Sequence, residues 1–378
     1  MAVITCNEDL RQLSRRRVPR AIFDYVDRGS YDELTLDDNR RDLQALRLRQ
    51  RVMVDVSQRK LACTLVGEPA AMPVIIAPTG LTGLVHARGE ILAAQAAESA
   101  GVPFTLSTMS ICSIEDVAAH CNKPFWFQLY VMRDRDFVSA LIQRARQARC
   151  SALVLTADLQ IQGQRHRDLK NGLTVPPRLT AANVLDLATK PAWGIKQLLG
   201  RRLTFGNLAG FLPKQDKQTS MGQWIMSQFE PAMSWDDVAW IKAQWPGKLI
   251  IKGILDPEDA RLAVEAGADA IVVSNHGGRQ LDGAISSIAA LPAIVEAVGA
   301  RSEILFDGGV RSGQDVLKAL AVGARGVMIG KAFLYGLGAM GKEGVELALA
   351  LIRKELDVSM ALTGTCDVAA VGPQVLYR

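Results

Sequence analysis

Ala270-Ile271-Val272-Val273-Ser274-Asn275-His276-Gly277-Gly278-Arg279-Gln280 is the stretch that decides the fold. Four apolar residues in a row leave the first part no polar face. Such a strand is buried on both sides, as strands of a parallel sheet are. The polar residues that follow form its tip, with His276 and Arg279 three positions apart. Histidine takes a proton near neutral pH. Arginine offers a planar fork that matches a carboxylate. The pair points to removal of a proton from a substrate that is itself an acid.

Similar runs recur on either side. They are Val74-Ile75-Ile76-Ala77, Phe104-Thr105-Leu106, Phe125 to Tyr130, Ala152 to Thr156, Leu249 to Lys252, Ile304-Leu305-Phe306 and Gly326 to Ile329. With the first, that makes eight. Segments of helical period lie between them. Glu90 to Ala100 is followed by Gly101 at a C-cap position, and Pro257 to Ala266 is opened by Asp256 and closed by Gly267. Gly313 to Val322 is closed by Gly323. Eight strand–helix units predict an α/β fold, a (β/α)8 TIM barrel, for which ~250 residues is typical. The chain has 378. The surplus is an N-terminal extension of about 70 residues and a long insertion after strand 4. Residues 1–378 are read as a single domain, with the barrel core at about 72–360 and the insertion at about 165–240.

Composition narrows the class. Hydrophobic content of 49% suits a large core, and the net charge of +5 is spread without a like-charged tail. Basic residues lack interleaved stacking aromatics, so nucleic acid is not an expected partner. The six cysteines show neither metal-ligand nor C-x-x-C spacing, which predicts a reduced, cytoplasmic protein without a metal site. No signal pattern and no apolar run near ~20 residues is found.

The insertion contains Trp193 to Leu203, then Phe205, Leu208, Phe211 and Leu212, mixing apolar and basic residues. Two readings fit. Residues 191–213 form an interfacial segment on anionic lipid, or a lid packed on its own barrel or on a neighbouring subunit.

Function in such barrels gathers at the C-terminal strand ends. Strands one to four end at Pro78-Thr79-Gly80, Ser107-Thr108-Met109, Gln128-Leu129-Tyr130 and Thr156-Ala157-Asp158. Lys252 lies on the fifth, and His276 and Arg279 follow the sixth. Asp307-Gly308-Gly309-Val310-Arg311 and Gly330-Lys331 follow strands seven and eight, the usual phosphate site. Glycines there admit an anion to the backbone, N–H groups of a helix start face it, and Arg311 and Lys331 add charge. That phosphate belongs to a cofactor or to a substrate.

These motifs resemble those of the FMN-dependent 2-hydroxy acid dehydrogenase family. Phe23-Asp24-Tyr25, Ala77 to Gly80, Phe127 to Tyr130, Thr156 to Asp158, Lys252-Gly253, Ser274 to Gly283 and Asp307 to Arg311 carry the likeness over almost the whole chain. The bacterial flavin L-lactate dehydrogenases are most similar. The resemblance implies an enzyme that uses FMN to oxidise an L-2-hydroxy acid, L-lactate first, to the 2-oxo acid. His276 would be the base, with Asp158 paired to it. Arg165 and Arg279 would hold the substrate carboxylate, Tyr25 would add a hydrogen bond, and Tyr130 would bond the substrate hydroxyl. Thr79, Ser107, Gln128 and Thr156, with Pro78, Gly80 and Ser274, would surround the flavin ring. Lys252 would stabilise negative charge on the reduced ring. Asp307, Gly308, Gly309, Arg311, Gly330 and Lys331 would hold the ribityl and phosphate groups. Hydride and carbanion routes both need His276 neutral before turnover.

Three positions depart from common members. Met109 stands where others have an aromatic or a smaller residue, which affects the substrate tail. Lys331 replaces an arginine, keeping charge but losing the fork. Gly80 stands where oxygen-using members have alanine, which favours a dehydrogenase passing electrons to quinone or another carrier. Mandelate dehydrogenase and an oxygen-using 2-hydroxy acid oxidase are the alternative activities. Other classes are a flavin barrel of an isomerase or inosinate-dehydrogenase type, and a non-catalytic membrane-binding barrel. The resemblance also implies a homo-oligomer, peripheral on the inner face of the cell membrane through residues 191–213.

Overall fold

The structure is a computed structural model that describes residues 3–172, 180–200, 204–209, 211 and 227–377. A short antiparallel hairpin, β1 (Cys63–Leu65) and β2 (Glu68–Ala70), precedes the barrel. The barrel strands are β3 (Val74–Ile76), β4 (Thr105–Ser107), β5 (Trp126–Leu129), β6 (Ala152–Thr156), β7 (Lys248–Ile254), β8 (Ala270–Val273), β9 (Glu303–Phe306) and β10 (Gly326–Ile329). They run parallel in the order β3-β10-β9-β8-β7-β6-β5-β4. A parallel bridge between Ile76 and Phe104, with Ile76 N–H donating to Pro103 O at 2.9 Å, joins the two edges. The result is a (β/α)8 TIM barrel, nearly closed. Every apolar run expected to be a strand is one, to within two residues.

The runs are continuous because both faces are covered. Ile75, Trp126, Val154, Ile250, Val272, Leu305 and Met328 point inward and fill the barrel. Ile76, Phe127, Leu153, Leu155, Leu249, Ile271 and Phe306 point outward against the helices. Each such side chain contributes about 1.5–3 kcal/mol of burial. Leu65 and Val66, at the hairpin turn, join the inner cluster. Val66 N–H donates to Glu303 at the start of β9, and Trp126 Nε1 donates to Glu68. The hairpin thus stoppers the N-terminal end, and the mouth lies at the C-terminal strand ends.

The expected helices form at Gly89–Ala100, Pro257–Glu265 and Gly313–Val322. Gly101 has φ +68° and caps the first with bonds to Ala97 O and Glu98 O. Asp256 caps the second through Glu258 N–H.

Three N-terminal helices, α1 (Asn7–Arg17), α2 (Arg20–Asp27) and α3 (Leu34–Ala45), wrap the mouth. In α3, Asn39 exchanges two side-chain hydrogen bonds with Asn275, at 2.8 and 2.9 Å. The extension therefore braces the loop after β8.

The insertion divides between the two readings. Phe205 and Leu208 are buried, and Asn207 Nδ2 donates to Ser107 O, Thr108 O and Ser110 Oγ. That piece packs on its own barrel, so the interfacial expectation is corrected for Phe205 and Leu208. Phe211 sits edge-on to Phe137 at 4.2 Å. The helix Pro191–Gly200 docks one face through Trp193 Nε1 and Gln197 Nε2, both donating to Leu84 O. Its other face leaves Ile195, Leu198 and Leu199 exposed, beside Val184, Leu185 and Leu187 of the helix Ala181–Ala188. Arg201, Arg202, Leu203 and Leu212 lie outside the described residues. Among the described residues no helix is long and apolar enough to cross a membrane.

Candidate functional site

The loop after β8 holds three successive residues with positive φ, His276 (+60°), Gly277 (+67°) and Gly278 (+71°). This turn aims the imidazole across the mouth. His276 Nδ1 lies 2.9 Å from Asp158 Oδ1, the residue two positions past β6. The carboxylate fits because residue 253 is glycine, with φ +104°. A Cβ there would stand 2.6 Å from Asp158 Cγ. With Nδ1 committed to Asp158, Nε2 is the nitrogen that can take a proton.

Burial holds the His276 imidazole below its ordinary value, and Lys252 and Arg165 add to this, while Asp158 opposes it. Burial thus favours the neutral imidazole that can accept a proton. Burial would push the Asp158 carboxyl up, but His276, and behind it Lys252, hold it below the usual range. Among the described residues its Oδ2 is buried without a partner.

Lys252 is buried on β7. Its Nζ donates to Ser274 Oγ at 2.8 Å and pairs with Asp307 Oδ2 at 2.9 Å. Burial works against the charge, but Asp307 and Asp158 outweigh it and raise the ammonium above its ordinary value. Ser274 Oγ also accepts the His276 N–H at 3.1 Å.

The two candidate carboxylate-binding arginines come together. Arg279 donates to Tyr25 O at 2.5 Å and to Arg28 O at 3.0 Å, and its guanidinium lies 4.7 Å from the centre of the Tyr25 ring. Arg165 donates to Arg279 O at 3.5 Å. Burial, and then the neighbouring Arg279, push Arg165 down to about 10. Two cations this close gain from an anion between them. Tyr130, edge-on to Phe229 at 5.4 Å, feels Asp158, Tyr25, Arg165 and Arg279. Burial, then Asp158, push its phenol well up, so it is a hydrogen-bonding hydroxyl.

The residues expected around the ring line adjacent strand ends. Ser107 Oγ donates to Gln128 Oε1 at 2.9 Å, while Gln128 Nε2 is buried without a partner among the described residues. Thr79 shares a 2.6 Å hydrogen bond with Thr82, and Thr156 is buried at the end of β6. Gly80, after Pro78, accepts from the Tyr25 hydroxyl at 3.4 Å. A Cβ on Gly80 would lie 3.2 Å from Met109 Cβ.

Two features shape the anion end. Gly308 and Gly309 are needed for packing: a Cβ on Gly309 would stand 2.5 Å from Asn39 O, and one on Gly308 would stand 2.9 Å from Ser287 Oγ. The N–H groups at the start of the helix Gly313–Val322 are also taken. Asp315 accepts from Arg311 and Ser312, and Glu355 accepts from Gly313. What remains is the start of the helix Lys331–Met340, after Gly330, where a Cβ would meet Thr79 only at 3.9 Å. Lys331 Nζ rests on Asp27 O at 2.8 Å. Burial, then Arg311 and Arg279, push that ammonium well below its usual range. Arg311 lies over the Tyr335 ring at 5.3 Å. A phosphate would relieve this crowding, and the unpartnered Gln128 amide awaits an acceptor. The residues therefore fit FMN.

Asn39, Gly253 and Gln280 support the site without having been assigned a role from sequence. A lysine–glycine pair on a strand hinted at Gly253. Nothing local hinted at Asn39.

Comparison with known proteins agrees with this geometry. The FMN-dependent dehydrogenase family matches residues 14–378. The L-lactate dehydrogenase of Caulobacter vibrioides is 48% identical over 99% of this chain and 98% of its own. That of Haemophilus influenzae is 47% identical over 99% and 98%. The crystal structure of the monotopic membrane protein (S)-mandelate dehydrogenase superposes with a TM-score of 0.93, at 36% identity over the whole of both chains.

Proposed function

The chain belongs to the FMN-dependent dehydrogenase family, and from that premise we propose that it oxidises an L-2-hydroxy acid, L-lactate first, to the 2-oxo acid. The observation that carries this reading is the His276–Asp158 pair beside Arg165 and Arg279. A proton acceptor next to paired cations suits a substrate with a carboxylate one carbon from its hydroxyl. The relatives at 47–48% identity are L-lactate dehydrogenases, which favours a small tail.

Oxidation removes two electrons and two protons. FMN, when bound, supplies the two-electron acceptor that side chains lack. Thr79, Ser107, Gln128, Thr156 and Lys252 would hold its ring, and Arg311, Gly330 and Lys331 its phosphate. Arg165 and Arg279 hold the substrate carboxylate, each charged hydrogen bond contributing about 1.5–3 kcal/mol. Tyr130 and Tyr25 orient it. His276 Nε2, neutral beforehand, takes one proton, the other leaving with the electron pair or to solvent, and Asp158 stabilises the imidazolium that results. Lys252 keeps a positive charge beside the pair.

Electrons then pass to a quinone or another carrier. Gly80 supports that choice over oxygen. The exposed apolar faces of Ala181–Ala188 and Pro191–Gly200 would rest on the inner face of the cell membrane, where a quinone resides.

The test is anaerobic addition of L-lactate, D-lactate and (S)-mandelate to the purified yellow protein. Bleaching by L-lactate, followed by reoxidation with a quinone analogue faster than with oxygen, is expected. Preferential bleaching by mandelate would transfer the reading to mandelate dehydrogenase. A flavin indifferent to every 2-hydroxy acid would overturn it.

A further inference from the structure

Gln280 closes the loop after β8 and is buried. Its side-chain amide is committed to one short segment after β6, two strands away in the barrel. Nε2 donates to Asp158 O at 2.6 Å and to Ile161 O at 2.9 Å, while Oε1 accepts from Gly163 N–H at 3.1 Å. Both donors and an acceptor lone pair are thereby used. The approach is close enough that a Cβ on Gly163 would stand 2.5 Å from Gln280 O. The bridged segment begins at Asp158, which holds the base. It ends just before Arg165, which touches Arg279 O. Two functional groups thus leave one stretch of chain at opposite ends, and Gln280 grips it between them.

We propose that Gln280 is a positioning residue that sets Asp158 and Arg165 together, so that the proton acceptor and the carboxylate clamp keep one fixed separation. It touches neither substrate nor flavin, because its amide hydrogens are spent on the backbone. Misplacement of about 1 Å at such a site can cost on the order of 10²-fold. Loss of the amide is therefore expected to damage substrate binding and base tuning at once, with the flavin retained. This rests on the hydroxy-acid reading above.

The test uses the intact flavoprotein with Gln280→Ala, and oxalate as a carboxylate probe read from the flavin spectrum. Oxalate Kd and the KM for L-lactate are expected to rise about tenfold or more, at wild-type flavin content. The groups facing His276 are Asp158 from β6, Lys252 from β7 and Arg165 from the insertion. Asp158 raises the imidazole and is the strongest of the three. Its displacement should move the acid limb of kcat/KM to lower pH. A merely structural glutamine would lower thermal stability or flavin content and leave Kd, KM and the acid limb of the surviving enzyme unchanged; that result overturns the proposal. If Gln280→Ala does not fold, Gln280→Met, which keeps the length and loses the amide without adding charge, is read in the same way. Failure of both to fold also overturns it. Wild-type protein that binds oxalate but ignores L-lactate would refute the substrate reading alone, while the oxalate comparison would still judge Gln280.

Discussion

The loop after β8 and the helices Ala181–Ala188 and Pro191–Gly200 satisfy their side chains in opposite ways. In the loop, Ser274, Asn275, His276 and Gln280 all bond to groups inside the protein. On the two helices, Val184, Leu185, Ile195, Leu198 and Leu199 face outward, Leu198 at 79% exposure. The loop is finished by its own chain, so its geometry is set before a substrate arrives. The helices leave apolar side chains exposed, which the proposed contact with a membrane surface would use. Pre-arranged chemistry needs the first arrangement. A reversible surface attachment needs the second.

The comparison breaks most visibly at His276. His276→Ala should keep its yellow colour yet lose turnover by about 10²–10⁴-fold, the usual share of a general base. Near-normal stopped-flow reduction of that variant would remove the imidazole from the chemistry. Next come two leucines of the same insertion. Leu208→Ala empties a buried position and should cost about 2–5 kcal/mol, whereas Leu198→Ala should change stability by less than about 0.5 kcal/mol. Equal losses in urea unfolding would show that Leu198 is covered after all. Arg279→Lys should raise KM roughly tenfold, as expected for a charged hydrogen bond worth about 1.5–3 kcal/mol, with flavin affinity changed less. Unaltered steady-state kinetics would contradict it.

The smallest effect concerns pH. Because burial holds the imidazole below its ordinary value of about 6.5, kcat/KM should stay level through that pH and fall only in more acid solution. Stability should begin to decline earlier, as the pH drops through about 6.5. The unfolded chain takes up the proton first, so lowering the pH favours it. An acid limb centred above pH 6.5 would mean that Asp158 wins over burial.

The barrel was legible because its strands are covered on both faces, which writes an unbroken apolar run into the chain. Asp158, Arg165, Lys252, His276 and Arg279 were legible through long motifs, although sequence spacing alone would not bring them together. The insertion was half legible. Phe205 and Leu208 look no different from Leu198 and Leu199 in sequence, and what separates them is Asn207 anchoring its neighbours to Ser107 and Thr108. Gly308 and Gly309 were half legible for a related reason. Their loop chemistry suggested an anion, while the packing that also requires glycine there comes from Asn39 and Ser287. Contacts between residues hundreds of positions apart leave no local trace.

The left-handed backbone of His276 has a consequence for selection. A residue with a Cβ held in such a conformation costs on the order of 1–3 kcal/mol, and glycine adopts it freely. His276→Gly and His276→Ala both leave Asp158 without its imidazole partner, but only glycine relieves the backbone, so His276→Gly should tolerate heat better than His276→Ala. Among inactive replacements at this codon, a laboratory screen that rewards survival on warming should favour glycine.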